Sequence, residues 1–326
     1  MLMSKMKERS TTRSILFVIC QHGSYRYFKP LWEKWNRDET EFKWHVLVET
    51  KTLNIPDLEK EKFNILNSAE NLQKEPNLII SSTTGSRIEK FYFNKAKKKK
   101  IKIFQLIDSS YDFKKRIFIT NGNKNYPDKL IMIDKKSIIY AESFDKIKRN
   151  ISINIGHPAW ENISPLKKKS LTDILFVSQP VQNDYKEELG YTQLDVINQV
   201  SLLKKEKGIS SLNISYHPRE KENNSDLFDK VLNESKGLNN CGTIIGMFSS
   251  LMVNAYYSGR NVISFQPVQK KNMDFLSQRG LIKVVSSYKE LKENLFNGCI
   301  VRPKNNPFNG SCKRLDKFIQ EQIRVL

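Results

Sequence analysis

The chain has 326 residues, with Lys+Arg 55 against Asp+Glu 35 and a formal net charge of +20. That length supports two domains of ordinary size, each able to bury its own core. A 39% hydrophobic and 10% aromatic content excludes a wholly disordered polypeptide, and sparse Gly (13) and Pro (11) without a sustained heptad exclude collagen-like and coiled-coil chains.

In chain order, short β-branched runs recur at 14–20 (SILFVIC), 44–49 (WHVLVE), 78–81 (LIIS), 101–106 (IKIFQL) and 129–133 (KLIMI). Between them, 29–35 and 88–98 have the mixed polar and apolar spacing of amphipathic helices. Continuous apolar runs flanked by helices predict parallel strands buried on both faces. At 155–169 the texture changes to two prolines, a glycine and a basic cluster, which suits an interdomain connection. A second series follows at 173–177 (DILFV), 212–216 (LNISY), 243–245, 262–265 and 282–285, with helices expected over 195–207 and 251–257. The tail 313–325 spaces Leu315, Phe318, Ile319 and Ile323 for a packed terminal helix. The expected architecture is α/β: two Rossmann-like doubly wound domains facing across a cleft. Residues 1–160 are expected to form the N-terminal domain and 161–326 the C-terminal domain, terminal helix included.

The apolar stretch 15–20 is far shorter than the roughly 20 residues that cross a bilayer and does not suit a signal peptide, so a soluble, cytoplasmic chain is expected. Four cysteines without a CxxC pair and four histidines without HxxxH predict neither a disulfide framework nor a protein-built metal site. The positive charge suits nucleic acid, an anionic membrane surface or phosphorylated substrates. It is spread along the chain, and its one tight run, Lys97 to Lys100, reads as a solvated helix end. No helix-turn-helix, RRM or zinc-finger signature is present, so nucleic acid is the disfavoured partner. Peripheral contact with an anionic inner-membrane face, where lipid-linked acceptors reside, stays open.

Ligands bind at the carboxyl ends of parallel strands, so candidate site residues are sought there. HPRE (217–220) and GMFSSLMVNAYYSG (246–259) each follow a predicted strand. Ser249 and Ser250 stand at a helix start, where they either cap the helix or help its dipole and amides hold a phosphate. His217 is held at the sheet edge by Pro218 and can donate to a phosphate oxygen, and Arg219 can add a planar fork of donors. In FVSQP, Ser178 and Gln179 either face a nucleotide or close a polar turn. In the first half, Gly23 and Ser24 follow the first strand as a small-residue corner. STTGSRIEKF (82–91) is a second such corner. In LIDSSYDFKKR (106–116), Asp108 is either a general base on an acceptor hydroxyl or a helix cap, with Arg116 supplying positive charge nearby.

Taken in order, LIDSSYDFKKR, PDKLIMID, INIGHPAWENI, DILFVSQP, ISYHPRE and IGMFSSLMVNAYYSG resemble bacterial glycosyltransferases of the GT-B fold. The related group spans the sialyltransferase and polysialyltransferase type, capsule-polysaccharide transferases and UDP-N-acetylglucosamine 2-epimerase-like proteins. The resemblance implies that His217 with Pro218 binds the donor phosphate and assists departure of the nucleotide, that Ser249 and Ser250 hold that phosphate, and that Asp108 is the base. It implies transfer of a sugar from a nucleotide donor, by preference a CMP-linked nonulosonic acid, to a surface glycan or lipid-linked acceptor. No tightly bound cofactor is implied. The alternative is an epimerase-like enzyme acting on a UDP-sugar without an acceptor. The acidic-acidic-glycine pattern of the transferases is absent at Asp108, and the serine-glycine-glycine segment with downstream glutamates of the epimerases is absent after Gly246.

Overall fold

Ile15 to Ile19 are all fully buried, as a strand in the middle of a parallel sheet covered by helices must be. In the computed structural model, which describes residues 13–49, 53, 57–63, 65–66, 74–221, 224–268, 273–297 and 305–326, they lie in β1 (Ser14–Ile19). The first sheet continues with β2 (Lys43–Val48), β3 (Ile65–Leu66), β4 (Leu78–Ser81), β5 (Lys102–Ile107), β6 (Lys129–Met132) and β7 (Ser152–Asn154). These strands are parallel, in the order β3-β2-β1-β4-β5-β6-β7. The second sheet contains β8 (Asp173–Val177), β9 (Ser211–Ser215), β10 (Lys230–Val231), β11 (Thr243–Gly246), β12 (Asn261–Phe265) and β13 (Val284–Val285). It too is parallel, ordered β10-β9-β8-β11-β12-β13.

Both sheets start from a central strand, run outward, and then restart on the other side of that strand. This reversal is the topological switch point of a doubly wound fold, where a crevice opens beyond the strand ends. In the first sheet it falls between β1 and β4, in the second between β8 and β11.

The chain divides into two units: residues up to Glu161 together with Phe308–Leu326, and Asn162–Pro307. The terminal helix, Ser311–Arg324, was expected on the C-terminal domain but belongs to the first unit. Its apolar stripe buries Leu315, Ile319 and Ile323, each contributing roughly 1.5–3 kcal/mol. Trp35 Nε1 donates to Asp316 at 2.7 Å, and Phe318 packs on Phe104 with ring centroids 5.3 Å apart. Glu161 receives the Gly310 and Cys312 amides at 2.9 and 2.7 Å. Helical spacing showed that the tail packs; it carried no information about which core would receive it. The expected connection 155–169 is likewise divided, since Ile155 to Glu161 lie in the first unit and Leu166 N–H donates to Ser258 O of the second.

Candidate functional site

At the second switch point the first residues after β8 reach in both lateral directions. Ser178, 1% exposed, donates its hydroxyl to Glu220 Oε1 at 2.8 Å, which ties the β8 loop to the HPRE turn after β9. Gln179 Oε1 accepts the Phe248 amide at 2.9 Å, which ties the same loop to the segment after β11. Because β8 lies between β9 and β11, this chain of contacts holds three strand ends in one register.

The HPRE turn closes on itself. His217 N–H donates to Glu220 Oε2 at 2.9 Å, while Glu220 N–H donates back to His217 O at 2.8 Å, a reciprocal pairing like that of a helix capping box. Burial pushes the Glu220 carboxyl up, and its bonds from His217 N–H and Ser178 pull the other way. His217 Nδ1 accepts the Arg219 amide at 3.2 Å, so the neutral ring carries its proton on Nε2. A backbone bond therefore fixes the imidazole as an Nε2 donor. Pro218 sits between the two bonded residues and restrains the turn.

Arg219 departs from the expectation. Its fork is taken by Asp184, with Nη1 at 3.1 Å and Nη2 at 2.6 Å from the two carboxylate oxygens, and this bond raises its pKa further. Ser249 is the N-cap of helix Ser250–Tyr257 and accepts the Leu251 amide at 3.2 Å; Ser250 is the first residue of that helix and is exposed. The capping role is therefore the one Ser249 plays here. The helix, SLMVNAYY, carries no carboxylate.

In the first unit, Gly23 and Ser24 are not a loop corner. They lie in the first turn of helix His22–Arg37, which the sequence placed only over 29–35. A Cβ on Gly23 would stand 2.7 Å from Asp108 Oδ2, so the glycine makes room for this carboxylate. Ser24 is fully buried and its Oγ has no hydrogen-bond partner. Asp108 follows β5 directly, and the next helix begins only at Phe113 with Asp112 at its N-cap position, which removes the capping alternative for Asp108. Arg116 Nη1 lies 3.9 Å from Asp108 Oδ1, and its guanidinium stacks 5.2 Å from the Tyr111 ring centre. Asp108, Gly23 and Arg116 thus form one cluster at the carboxyl end of the first sheet.

Sequence reasoning passed over three residues. Glu220 was legible as the fourth member of HPRE, three positions after the histidine it holds. Asp184, 35 positions from Arg219, had no local signal. Glu89 is fully buried and closes the second small-residue corner: it binds Ser82 Oγ, receives the Thr84 amide at 2.8 Å and the Thr84 hydroxyl at 2.7 Å, and receives the Gly85 amide at 3.1 Å. Among the described residues, no group of three His, Cys, Asp or Glu side chains is placed to hold a metal ion, and no helix is long and apolar enough to cross a membrane.

No protein-family model matches the chain, and no curated protein matches it. Solved structures do. The MnaA–UDP co-structure from S. aureus aligns at TM-score 0.67 and 13% identity over 97% of this chain and 98% of that one. UDP-GlcNAc 2-epimerase from Neisseria meningitidis, bound to UDP-GlcNAc, aligns at 0.59 and 11% over 94% and 100%. The wall teichoic acid polymerase TagF aligns at 0.56 and 12% over 96% and 90%. The fold is GT-B. Its two parallel α/β units are those expected from the strand pattern.

Proposed function

We propose that the protein is an enzyme acting on a nucleotide sugar, with the second unit holding the nucleotide and its phosphate. The observation that carries this reading is the three-loop tie at the second switch point, which fixes the His217 imidazole as an Nε2 donor after β9 and joins the β8 loop to the segment leading into the serine-capped helix after β11. Departure of a nucleotide concentrates negative charge on phosphate oxygens. A fixed N–H donor and a helix N-terminus stabilise that charge without reorganising at the moment of reaction. Ser178 and Gln179 act here by holding the loops. Asp108 is the proposed base, with Arg116 Nη1 3.9 Å from its carboxylate.

The donor favoured by the comparisons is a UDP-sugar, since structures of this fold were solved with UDP and with UDP-GlcNAc. This displaces the preference for a CMP-linked nonulosonic acid. Several of the matching structures are UDP-GlcNAc 2-epimerases, so the reading supported best is rearrangement of the UDP-sugar without an acceptor. In that reaction the base takes the proton from C2 of the sugar as the C1–O bond to UDP breaks, and His217 with the helix start supports the charge on the departing UDP. Re-addition of UDP at C1, with a proton delivered to the opposite face of C2, completes the epimer. The second reading is transfer to a glycan or lipid-linked acceptor. It is favoured by the helix Ser250–Tyr257, which offers no carboxylate to a bound sugar or ribose, and by the likeness to TagF. In transfer the same base takes the acceptor's hydroxyl proton.

The test begins with thermal shift against UDP, CMP, GDP and CDP, since a ligand that binds only the folded form raises the melting temperature. UDP is expected to give the largest shift. Incubation with UDP-GlcNAc alone in deuterated water should then incorporate deuterium at C2. Deuterium-free substrate, with turnover only when a glycan acceptor is added, selects transfer. No stabilisation by any nucleotide would defeat both readings.

A further inference from the structure

The helix Lys135–Ser143 buries Ser137 and Ala141 against the first sheet and carries its largest apolar side chains on the outside. Ile139 is 61% exposed and, just past the helix end, Phe144 is 70% exposed. Tyr140 stacks on Phe144 with ring centroids 4.9 Å apart. Most other exposed large apolar residues, such as Leu194, Leu202 and Val231, are separated along the chain, as is usual for a soluble surface. Three within six positions are not. The segment that follows supplies Lys146, Lys148 and Arg149, all exposed, around Ile147, which anchors it in the core. The acidic residues closest to it in the chain are half-buried Asp145, which accepts the Lys114 amide at 3.3 Å, and half-buried Glu142. Between residues 111 and 150 there are ten Lys/Arg against five Asp/Glu, about twice the net positive density of the whole chain.

We infer that this face of the first unit docks on an anionic bilayer surface. The two features divide the work: basic side chains draw the unit to acidic headgroups, and stacked aromatic rings with an isoleucine enter the headgroup boundary, where amphipathic rings are favoured. A nucleic acid fits less well, because the rings stack on each other and Ile139 offers no π face. The inference does not depend on the proposed reaction, and its test involves no catalysis.

The full chain is floated with vesicles of phosphatidylcholine alone and of phosphatidylcholine with 30% phosphatidylglycerol. Binding is expected to the second only, and to weaken with salt. Each basic residue near such a surface is worth roughly fivefold in partition, so K146E/K148E/R149E should lower it on the order of a hundredfold. I139D/F144D should lower it about tenfold or more, with an unchanged melting temperature. K289E, on an exposed site of the second unit, should leave it unchanged. Unaltered flotation of both patch variants, or equal flotation with neutral vesicles, overturns the inference. So does a dimer in gel filtration that I139D/F144D dissolves, because a second copy then covers the face, and so does RNA binding of similar strength that I139D/F144D leaves intact.

Discussion

The two units share a strand order and a parallel sheet, yet they use the polar residues at their switch points in opposite ways. In the first, Glu89 draws in the hydroxyls and amides of Ser82, Thr84 and Gly85, so the corner after β4 is satisfied from within. In the second, Ser178, Gln179 and Glu220 bond between loops, and the product is one oriented imidazole. The same topology therefore offers two crevices, of which one spends its polar groups on closing itself and the other on aiming a side chain. A small-residue corner in the sequence does not distinguish these cases; the partner of the nearest buried carboxylate does.

The largest effects should separate the two. His217→Ala is expected to lower kcat on the proposed substrate by roughly 10²–10⁴-fold, the usual worth of a positioned proton donor, with the melting temperature almost unchanged. Glu89→Ala should do the reverse. It strands several buried donors, each costing about 1–3 kcal/mol, so denaturant unfolding should show a loss of roughly 3–5 kcal/mol. A His217→Ala protein that unfolds as easily as Glu89→Ala would mean that the histidine is a structural residue.

The units should also respond to pH with opposite signs. His157, in the first unit, stacks on Trp160 at 3.7 Å, and burial lowers its pKa from 6.5 to about 3. The folded form then binds fewer protons than the unfolded one between those values, so stability falls as the pH is lowered from about 6.5 toward 3. The full gap corresponds to roughly 5 kcal/mol. Asp274, in the second unit, is raised by burial from 3.8 to about 6. Here the folded form binds more protons, so stability falls as the pH rises through that window, by roughly 3 kcal/mol. His157→Phe keeps an aromatic ring on Trp160 and should flatten the acid limb of the melting curve against pH. Asp274→Asn can still cap the helix Phe275–Gln278 and should remove the decline between pH 4 and 6. Unchanged slopes in both variants would show that other groups govern the pH dependence.

Much of this architecture was legible in the sequence. Runs such as LIIS and DILFV, in which three or four consecutive apolar residues adjoin a polar one, became β4 and β8 without a shift of boundary. The edge strands β3 and β10 have two residues each, too few to create a period, and they escaped notice. At the site, HPRE and the serine pair were found because each is local and follows a strand. What they bond to was not found, because Ser178 to Glu220 and Arg219 to Asp184 join residues 42 and 35 positions apart, and only the strand order brings those segments together. The terminal helix was foreseen, but the unit that receives it was missed for the same reason.

Gly23 offers a finer test of the first unit. Alanine in a helical position is ordinarily better than glycine by about 0.5–1 kcal/mol, but at Gly23 its methyl would press on Asp108 Oδ2. Asp108 is a side-chain end able to swing, so Gly23→Ala should change stability by less than about 1 kcal/mol. Activity should respond more strongly, because the displaced carboxylate no longer stands beside Arg116. A fall in kcat/KM of about tenfold, roughly 1.4 kcal/mol, is expected. Full activity would show that Asp108 does not act from this position.

The smallest expected effect concerns the two aspartate–arginine pairs at the sheet edges. Asp108 and Arg116 approach at a single 3.9 Å contact, whereas Asp184 holds Arg219 through two bonds at 3.1 and 2.6 Å. The Arg219 side chain is 59% exposed, so solvent screens the pair and its loss should cost only about 0.2–1 kcal/mol of stability. Its effect on ligand binding has a different origin. A phosphate seeking the guanidinium fork must displace Asp184, because a fork that bonds one anion bidentately has little left for another. Asp184→Ala should therefore tighten UDP about two- to fivefold by calorimetry and steepen the salt dependence, and Arg219→Ala should weaken it. If the two variants weaken UDP equally, Asp184 and Arg219 work as one unit, and the second crevice is closed on itself in the manner of the first.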